Sequence, residues 1–157
     1  MCKYDISVEE MWLSYLEILG ENEKTTKKNY TAWHFCNDEK SANELAELVL
    51  EGTKRGTASL YYWYKEEGEE LPKVDEYSII TNWQDIAKCI IKTTKIEIIL
   101  FKDVTEKFAS IEGEGDKSLD YWRNVHRIYF EDELKEIGKE FNEDMEIVCE
   151  EFEVVYK

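Results

Sequence analysis

The chain has 157 residues, 43% of them hydrophobic, and its 36 acidic against 20 basic side chains give a formal net charge of -16. This length and hydrophobic content predict one folded domain, since single cores commonly grow to this size. The negative charge disfavours generic binding to nucleic acid or to an anionic membrane, because both need basic side chains to meet phosphates. A nucleic-acid role therefore requires a local basic cluster or a small ligand such as a nucleoside.

The cysteines and the N-terminal residues indicate the cellular compartment of the protein. Four cysteines lie far apart without a CxxC pair, which predicts neither a zinc site nor a thioredoxin-like motif, and only two histidines are present. The start of the chain turns acidic too early for a signal peptide, and no apolar run approaches the roughly 20 residues that cross a bilayer. We expect a cytoplasmic protein with free thiols, no metal, no cofactor and no membrane partner. The cysteines are Cys2, Cys36, Cys89 and Cys149.

Two helices are predicted in the first third of the chain. Apolar residues at helical spacing indicate a helix from Ser7 to Leu19, with Ser7 as its N-cap and Gly20 at its end. After an extended segment at residues 31–38, a second amphipathic helix ends at Gly52, where a helix C-terminus favours a residue able to adopt positive φ. The candidates for the N-cap of this second helix are Asn37, Asp38 and Ser41.

The rest of the chain alternates between strand-like and helical patterns. The predicted strands occupy residues 57–64, 76–83, 85–101 and 145–157. Between the last two strands, two helices are interrupted by the glycines of "EGEGD", and Asp116 or Ser118 caps the second of them. Strands split by helices without regular alternation predict an α+β fold with a small curved sheet or barrel.

The first candidate site is a GxKxxT pattern, formed by Gly52, Lys54 and Thr57 at a helix-to-strand junction. Gly52 lets the backbone reverse, Lys54 leaves the turn as a mobile donor, and Thr57 offers a hydroxyl at the start of a strand. The same residues also describe a capped helix followed by a solvated lysine, and the pattern alone leaves both interpretations open.

The second candidate site is the acidic loop "EGEGD" between the two predicted helices. Glu112, Glu114 and Asp116 surround two glycines, and clustered carboxylates can raise one another's pKa toward the range useful for acid-base chemistry. The alternative is an acidic helix start favoured by the helix dipole.

The helix after this loop adds aromatic and basic side chains. Trp122 and His126 are four residues apart and share a face, while Arg123 and Arg127 form a neighbouring stripe. Aromatic rings of this kind stack on bases in nucleoside sites, but more often they fill a core.

Three ordered segments, "ELVLEGTKRGTAS", "VTEKFASIEGEGDKSLDYWRNVH" and "VCEEFEVVY", resemble the ASCH domain family in its larger bacterial form. The resemblance runs from about residue 30 to residue 156, so residues 1–29 become a helical N-terminal extension and residues 30–157 the core of a single domain. It implies a PUA-like fold, a small mixed β-barrel flanked by helices, with a cleft beside the GxKxxT turn. It also implies a ligand, either RNA or a modified nucleoside.

Some small bacterial ASCH proteins are amidohydrolases that remove the acetyl group from N4-acetylcytidine, and the resemblance places their catalytic residues on Lys54, Thr57 and Glu112. In that mechanism Thr57 attacks the amide carbonyl, Lys54 takes the hydroxyl proton or holds the oxyanion, and Glu112 passes a proton to the leaving nitrogen. The base role requires that burial or a nearby cation lower the pKa of Lys54, and Arg55 is the candidate cation. The residues expected to bind substrate or RNA are Gly52, Arg55, Glu114, Asp116, Trp122, Arg123 and His126.

The alternative function is a non-catalytic RNA-binding module, or a ribonuclease, that uses the same basic turn. Its basic strip would be Lys54, Arg55, Arg123 and Arg127. A module making several phosphate contacts should weaken steeply with salt, whereas nucleoside hydrolysis should not.

The chain departs from the usual family pattern in two places. Arg55 and Gly56 occupy the variable slots of GxKxxT where Thr and Ala are common, and we expect Gly56 to loosen the turn that positions Lys54. Asp75 replaces a glycine that usually precedes the next strand.

Overall fold

The computed structural model describes residues 4–157. Within that range the elements are α1 (Ile6–Ile18), β1 (Tyr30–Trp33), α2 (Glu39–Leu50), β2 (Gly56–Leu60), α3 (Tyr61–Glu66), β3 (Tyr77–Thr81), β4 (Ala87–Leu100), a 3-10 turn (Phe101–Asp103), α4 (Glu106–Glu112), α5 (Leu119–Lys135) and β5 (Glu146–Tyr156). The α+β class predicted from the sequence is confirmed.

The five strands form a mixed sheet in the order β1-β3-β4-β5-β2. β1 runs parallel to β3, with Tyr30 opposite Tyr77, whereas β3 and β4 are antiparallel. β2 pairs antiparallel with β5, which places Thr57 opposite Glu150. The two edge strands, β1 and β2, therefore pair with strands distant in sequence.

The chain divides into two compact units. The first unit contains the chain up to Gly52 together with Val74–Thr94 and Phe152–Lys157, and the second contains Thr53–Lys73 and Lys95–Glu151. That residues 1–157 form a single domain, with residues 1–29 as an extension, stays a prediction.

The first unit has two hydrophobic clusters. In one, residues of α1 at intervals of four, Val8, Trp12 and Leu16, pack against Ile79 of β3. In the other, buried side chains of α2 pack against β3, β4 and β5. The buried members of this second cluster are Phe35, Ala46, Val49, Ile80, Cys89, Ile91 and Phe152.

The second unit is organised around α5. Trp122, His126, Phe130 and Leu134, again at intervals of four, form the buried face of this helix. Its apolar members pack with Phe101, Phe108 and residues of β2 and β5, among them Leu60, Ile147 and Cys149. The candidate site lies in this unit.

The helix caps correct one prediction and confirm another. Asp5, not Ser7, caps α1, because its carboxylate accepts from the Ser7 amide at 2.8 Å. The Ser7 hydroxyl instead accepts from the amide of Ala87 at 2.9 Å. At α2 the cap is Asp38, which accepts from the Ser41 amide and is one of the three predicted candidates.

The strand predicted over residues 57–64 is wrong in its second half. β2 stops at Leu60 and the aromatic residues begin α3. In this helix Tyr64 turns back so that its hydroxyl meets the Ser59 hydroxyl at 2.8 Å, and the Trp63 indole donates to Glu133 at 3.2 Å. These tertiary contacts override the strand preference of consecutive aromatic residues.

Gly56 and Asp75, which depart from the family pattern, have local explanations. Gly56 does not loosen a turn: it is buried in β2, and a Cβ there would lie 3.1 Å from both the Glu150 carbonyl oxygen and the Ile111 side chain. Its small size allows α4 to approach the strand. Asp75 has a φ of 72°, the left-handed conformation that glycine usually supplies.

Among the helices that the structure describes, none combines the length and apolar character needed to cross a membrane. Cytoplasmic localisation stays a prediction. Cys89 and Cys149 are buried, whereas Cys2 lies outside the described residues.

Candidate functional site

The backbone brings the GxKxxT junction against the end of α4. The Arg55 amide donates to the Ile111 carbonyl at 2.8 Å. Gly113 ends α4 with a φ of 70°, and a Cβ at this position would overlap the carbonyl oxygen of Thr53. This close approach sets Lys54 and Glu112 face to face.

Lys54 forms a buried ion pair. Its Nζ lies 3.0 Å from Oε1 of Glu112 and 3.5 Å from Oε2 of Glu114. The exposed fractions of the three side chains are 1% for Lys54, 2% for Glu112 and 15% for Glu114. Of these three charged side chains, Glu114 is therefore the one that solvent can reach.

The second carboxylate oxygen of Glu112 faces α5. The Trp122 indole N–H donates to Oε2 of Glu112, and Nε2 of His126 lies 3.2 Å from the same oxygen. Both oxygens of Glu112 therefore have hydrogen-bond donors, as a buried carboxylate requires.

His126 is held in one orientation. Its ring stacks on Trp122, with the ring centroids 4.2 Å apart and the planes 15° from parallel. Nδ1 lies 2.9 Å from the Trp122 carbonyl oxygen, while Nε2 faces Glu112. Because both nitrogens face acceptors, this geometry suits the imidazolium form, in which both nitrogens donate.

The pKa shifts follow from burial and these charges. Burial lowers the pKa of Lys54, but the carboxylates of Glu112 and Glu114 outweigh it and the net shift is upward. Burial raises the pKa of Glu112, but Lys54 and His126 hold it well below its usual range. At Glu114 burial dominates, and the pKa is raised. For His126, burial lowers the pKa, but Glu112 reverses the shift and the net pKa is raised.

These directions bear on two expected roles. The pKa of Lys54 is raised, which favours the expected oxyanion-holding role over the expected base role. Arg55, expected to lower that pKa, is exposed. Glu112, expected to carry a proton, is held ionised by three donors.

Glu112, Glu114 and His126 also form a group that could hold a metal ion, since each offers a ligand atom and these atoms lie within 4.8 Å of one another. In this arrangement the positive charge comes from Lys54, which contacts both carboxylates, and from His126. The residues thus form a charge cluster that is balanced within the protein.

Of the other predicted site residues, Thr57 lies in β2, Asp116 in the loop before α5, and Gly52 just after α2. Gly56 and Ala58 lie on the face of β2 that contacts α4 and the core. Strand alternation places Thr57, which is partly exposed, on the opposite face. Asp116 is exposed and accepts from the Ser118 amide at 2.8 Å. Gly52 follows the C-cap of α2 with a φ of 82°, as predicted for a helix end.

In the predicted basic strip, Lys54, Arg123 and Arg127 are engaged in intramolecular contacts, whereas Arg55 is exposed. Arg123 donates to the Lys102 carbonyl at 3.0 Å, and Arg127 pairs with Glu143. Lys102 pairs with Asp144 at 2.6 Å. These contacts reduce the positive charge that this face can offer to phosphates.

Sequence reasoning missed the connection from α5 to Glu112. Trp122 and His126 were expected to contact a ligand, but both are buried and hydrogen-bond to Glu112. The signal that could have found this was present: an indole and an imidazole at i and i+4 give two donors on one helix face, and such a pair needs a buried acceptor.

The comparisons place this arrangement in a family. A family model described as ASCH domain matches residues 31–156. The chain belongs to the ASCH domain family. The family is linked to RNA binding, and the PUA-like fold expected for an ASCH domain is confirmed.

Solved structures support this assignment. The chain is 40% identical to an ASCH domain from Lactobacillus crispatus, with a TM-score of 0.92 over 99% of this chain and 98% of that one. A protein from Enterococcus faecalis is 36% identical, with a TM-score of 0.84 over 96% of this chain and 89% of that one. A hypothetical protein with 20% identity and a TM-score of 0.51, over 80% of this ASCH domain and 97% of that chain, shares only the fold. No curated protein matches the chain closely.

Proposed function

We propose that this ASCH domain recognises a modified nucleoside at the cluster of Lys54, Glu112 and Glu114, and that it hydrolyses the amide of an N4-acylcytosine such as N4-acetylcytidine. The observation that carries the proposal is the buried Lys54–Glu112 ion pair, with Nζ and Oε1 3.0 Å apart and both side chains at most 2% exposed.

A buried ion pair of this kind is expensive. Each charge loses several kcal/mol of solvation on burial, and well-packed apolar residues often stabilise a fold as well or better. Ionisable groups with strongly perturbed pKa values cluster at functional sites, because chemistry needs charges away from water. The cost of this pair therefore supports a role beyond stability.

The charges suit amide hydrolysis. When a hydroxyl attacks an amide carbonyl, negative charge develops on the carbonyl oxygen, and a fixed ammonium stabilises it. Glu112 holds Lys54 in place through its hydrogen bond. The attacking hydroxyl comes from Thr57 or from water, and the cytosine nitrogen leaves once it has received a proton.

Charge favours a small uncharged ligand over a polynucleotide. The net charge of -16 repels phosphates, and Arg123 and Arg127 already have acceptors within the protein. An uncharged nucleoside needs one concave contact rather than a continuous basic surface.

The test is to incubate the purified protein with N4-acetylcytidine and other N4-acylcytosines and to separate the products by chromatography. We expect equal amounts of cytidine and free acid, with a rate that changes little between about 50 and about 200 mM salt. The matched control for substituted lysines is Lys107→Met, since Lys107 is an exposed lysine of α4. If the wild-type protein forms no product and binds RNA with a steep salt dependence, the RNA-binding alternative is correct.

The source of the attacking hydroxyl can be tested separately. Thr57→Val keeps the shape of the side chain and removes its hydroxyl, so activity falls by orders of magnitude if Thr57 is the nucleophile. If water attacks, the variant keeps most of its turnover. Thr57→Ser should keep activity in both cases, which controls for the size of the side chain.

A further inference from the structure

We propose that Glu114, rather than Glu112, is the catalytic residue that moves the proton in this reaction, and that Glu112 is a positioning residue for Lys54. This inference rests on the proposed amide hydrolysis and names the acid-base group of the same site.

Glu112 is committed to structural contacts. Its Oε1 accepts from Lys54 at 3.0 Å, and its Oε2 accepts from Trp122 and faces Nε2 of His126 at 3.2 Å. To receive a proton, the carboxylate would have to release one of these donors inside a site that is only 2% exposed. Each released donor would then be left unsatisfied.

Glu114 is placed differently. Its carboxylate accepts a hydrogen bond from Lys54 at 3.5 Å, a long contact that a ligand can replace. Its side chain is 15% exposed. A ligand that approaches from solvent therefore meets Glu114 first, with the Lys54 ammonium directly behind it.

The loop around Glu114 holds the carboxylate at this position. Gly113 and Gly115 on either side have φ values of 70° and 56°. A Cβ at Gly113 would overlap the Thr53 carbonyl, and a Cβ at Gly115 would overlap the Tyr121 ring. The Glu114 carbonyl accepts from the Lys117 amide at 2.9 Å, which closes the turn. Two backbone contacts thus fix the segment while the carboxylate stays accessible.

The acid-base properties agree with this placement. Burial and the neighbouring Glu112 charge raise the pKa of Glu114, although Lys54 opposes the shift. A carboxylate whose pKa is raised accepts a proton more readily than one whose pKa is strongly lowered.

The proton balance is simple. As the hydroxyl oxygen bonds to the acyl carbon, its proton passes to the Glu114 carboxylate and the carbonyl oxygen becomes an oxyanion beside Lys54. When the carbon–nitrogen bond breaks, Glu114 returns that proton to the N4 nitrogen and cytidine leaves. If the hydroxyl was that of water, the acid is released at once. If it was that of Thr57, a second cycle with water hydrolyses the ester and restores the hydroxyl.

The test compares Glu114→Gln with the wild type over a range of pH. We expect kcat to fall about 100-fold or more, the range assigned to general acid-base groups, with little change in KM. In the wild type, activity should fall as pH drops through the raised pKa of Glu114, and this acid limb should disappear in the variant. Glu131→Gln, at an exposed position on α5, should change neither kcat nor the limb.

A second variant guards against a folding defect. Glu114→Ala, checked for a native melting transition, should regain part of its activity when formate is added as a substitute carboxylate. Wild-type protein that is active while Glu114→Gln keeps its kcat and its acid limb would overturn this inference alone. Wild-type protein that releases no cytidine would overturn the proposed function and this inference with it.

Discussion

Glu112 is the residue on which the site depends, because it satisfies Lys54 on one side and His126 and Trp122 on the other. Resemblance to the family assigned Lys54 and Glu112 to one catalytic set, and in the structure their charged atoms lie 3.0 Å apart. Their protonation states could not be predicted from sequence. They depend on burial and on α5, and neither is visible in the spacing of residues along the chain.

The first prediction concerns Glu112→Gln. Removing this charge leaves Lys54 buried with only the more distant Glu114, so we expect a loss of about 3–5 kcal/mol in the free energy of unfolding. Urea unfolding followed by circular dichroism measures the loss. Glu131→Gln, an exposed position on α5, should stay within about 0.5 kcal/mol of the wild type. A similar small change at Glu112 would show that the ion pair is not held as described.

The second prediction concerns pH. A group whose pKa is raised by folding contributes stability that is present below its unfolded pKa, here 6.5 for His126, and lost as pH rises through the folded pKa. The free energy of unfolding of the wild type should therefore fall above about pH 6.5. His126→Gln should lack this decrease. The comparison is made in a Glu114→Gln background, because the charge of His126 acts on the pKa of Glu114. Parallel stability curves for the two proteins would rule out a charged His126.

At the scale of elements, long periodic segments were predictable and short ones were not. The i, i+4 pattern of α5 indicated its buried face, and the long apolar run indicated β4. The start of α3 was missed because four consecutive aromatic residues have strand propensity. Only contacts distant in sequence, such as Trp63 with Glu133, favour the helix there.

A third prediction tests α3. Tyr64→Phe removes the hydroxyl that meets Ser59 at 2.8 Å, and should lower the free energy of unfolding by about 0.5–1.5 kcal/mol. Tyr61→Phe is the matched control on the same helix, because the Tyr61 hydroxyl makes no hydrogen bond with the part of the chain that the structure describes. Equal effects from the two substitutions would argue against the turned-back geometry of Tyr64.

A fourth prediction tests the contact between α4 and the GxKxxT junction. Gly113 and Gly68 have nearly the same φ, 70° and 72°, but only at Gly113 would a Cβ meet other atoms, the Thr53 backbone. Gly113→Ala should therefore be more destabilising than Gly68→Ala, which isolates the left-handed strain of roughly 1 kcal/mol. Thermal melting of the two variants measures the difference. Equal melting temperatures would mean that the backbones are not in close contact.

At the scale of the whole molecule, charge underlies the proposal of a small ligand. The net charge of -16 was known from the sequence, and the structure adds that Arg123 and Arg127 of α5 are engaged within the protein. What sequence could not supply is the accessibility of each carboxylate near Lys54. Of the two, only Glu114 has appreciable exposure. This difference links the fold to the proposed chemistry.

The most direct test of the central claim is the value of kcat/KM for N4-acetylcytidine, measured for the wild type, Lys54→Met and Lys107→Met. Glu112 keeps its donors from Trp122 and His126 in the Lys54 variant, so a native melting transition should remain. The account predicts that Lys54→Met loses about 100-fold or more, as when one oxyanion-stabilising donor is removed, while Lys107→Met matches the wild type. Equal values for the wild type and a folded Lys54→Met would contradict it.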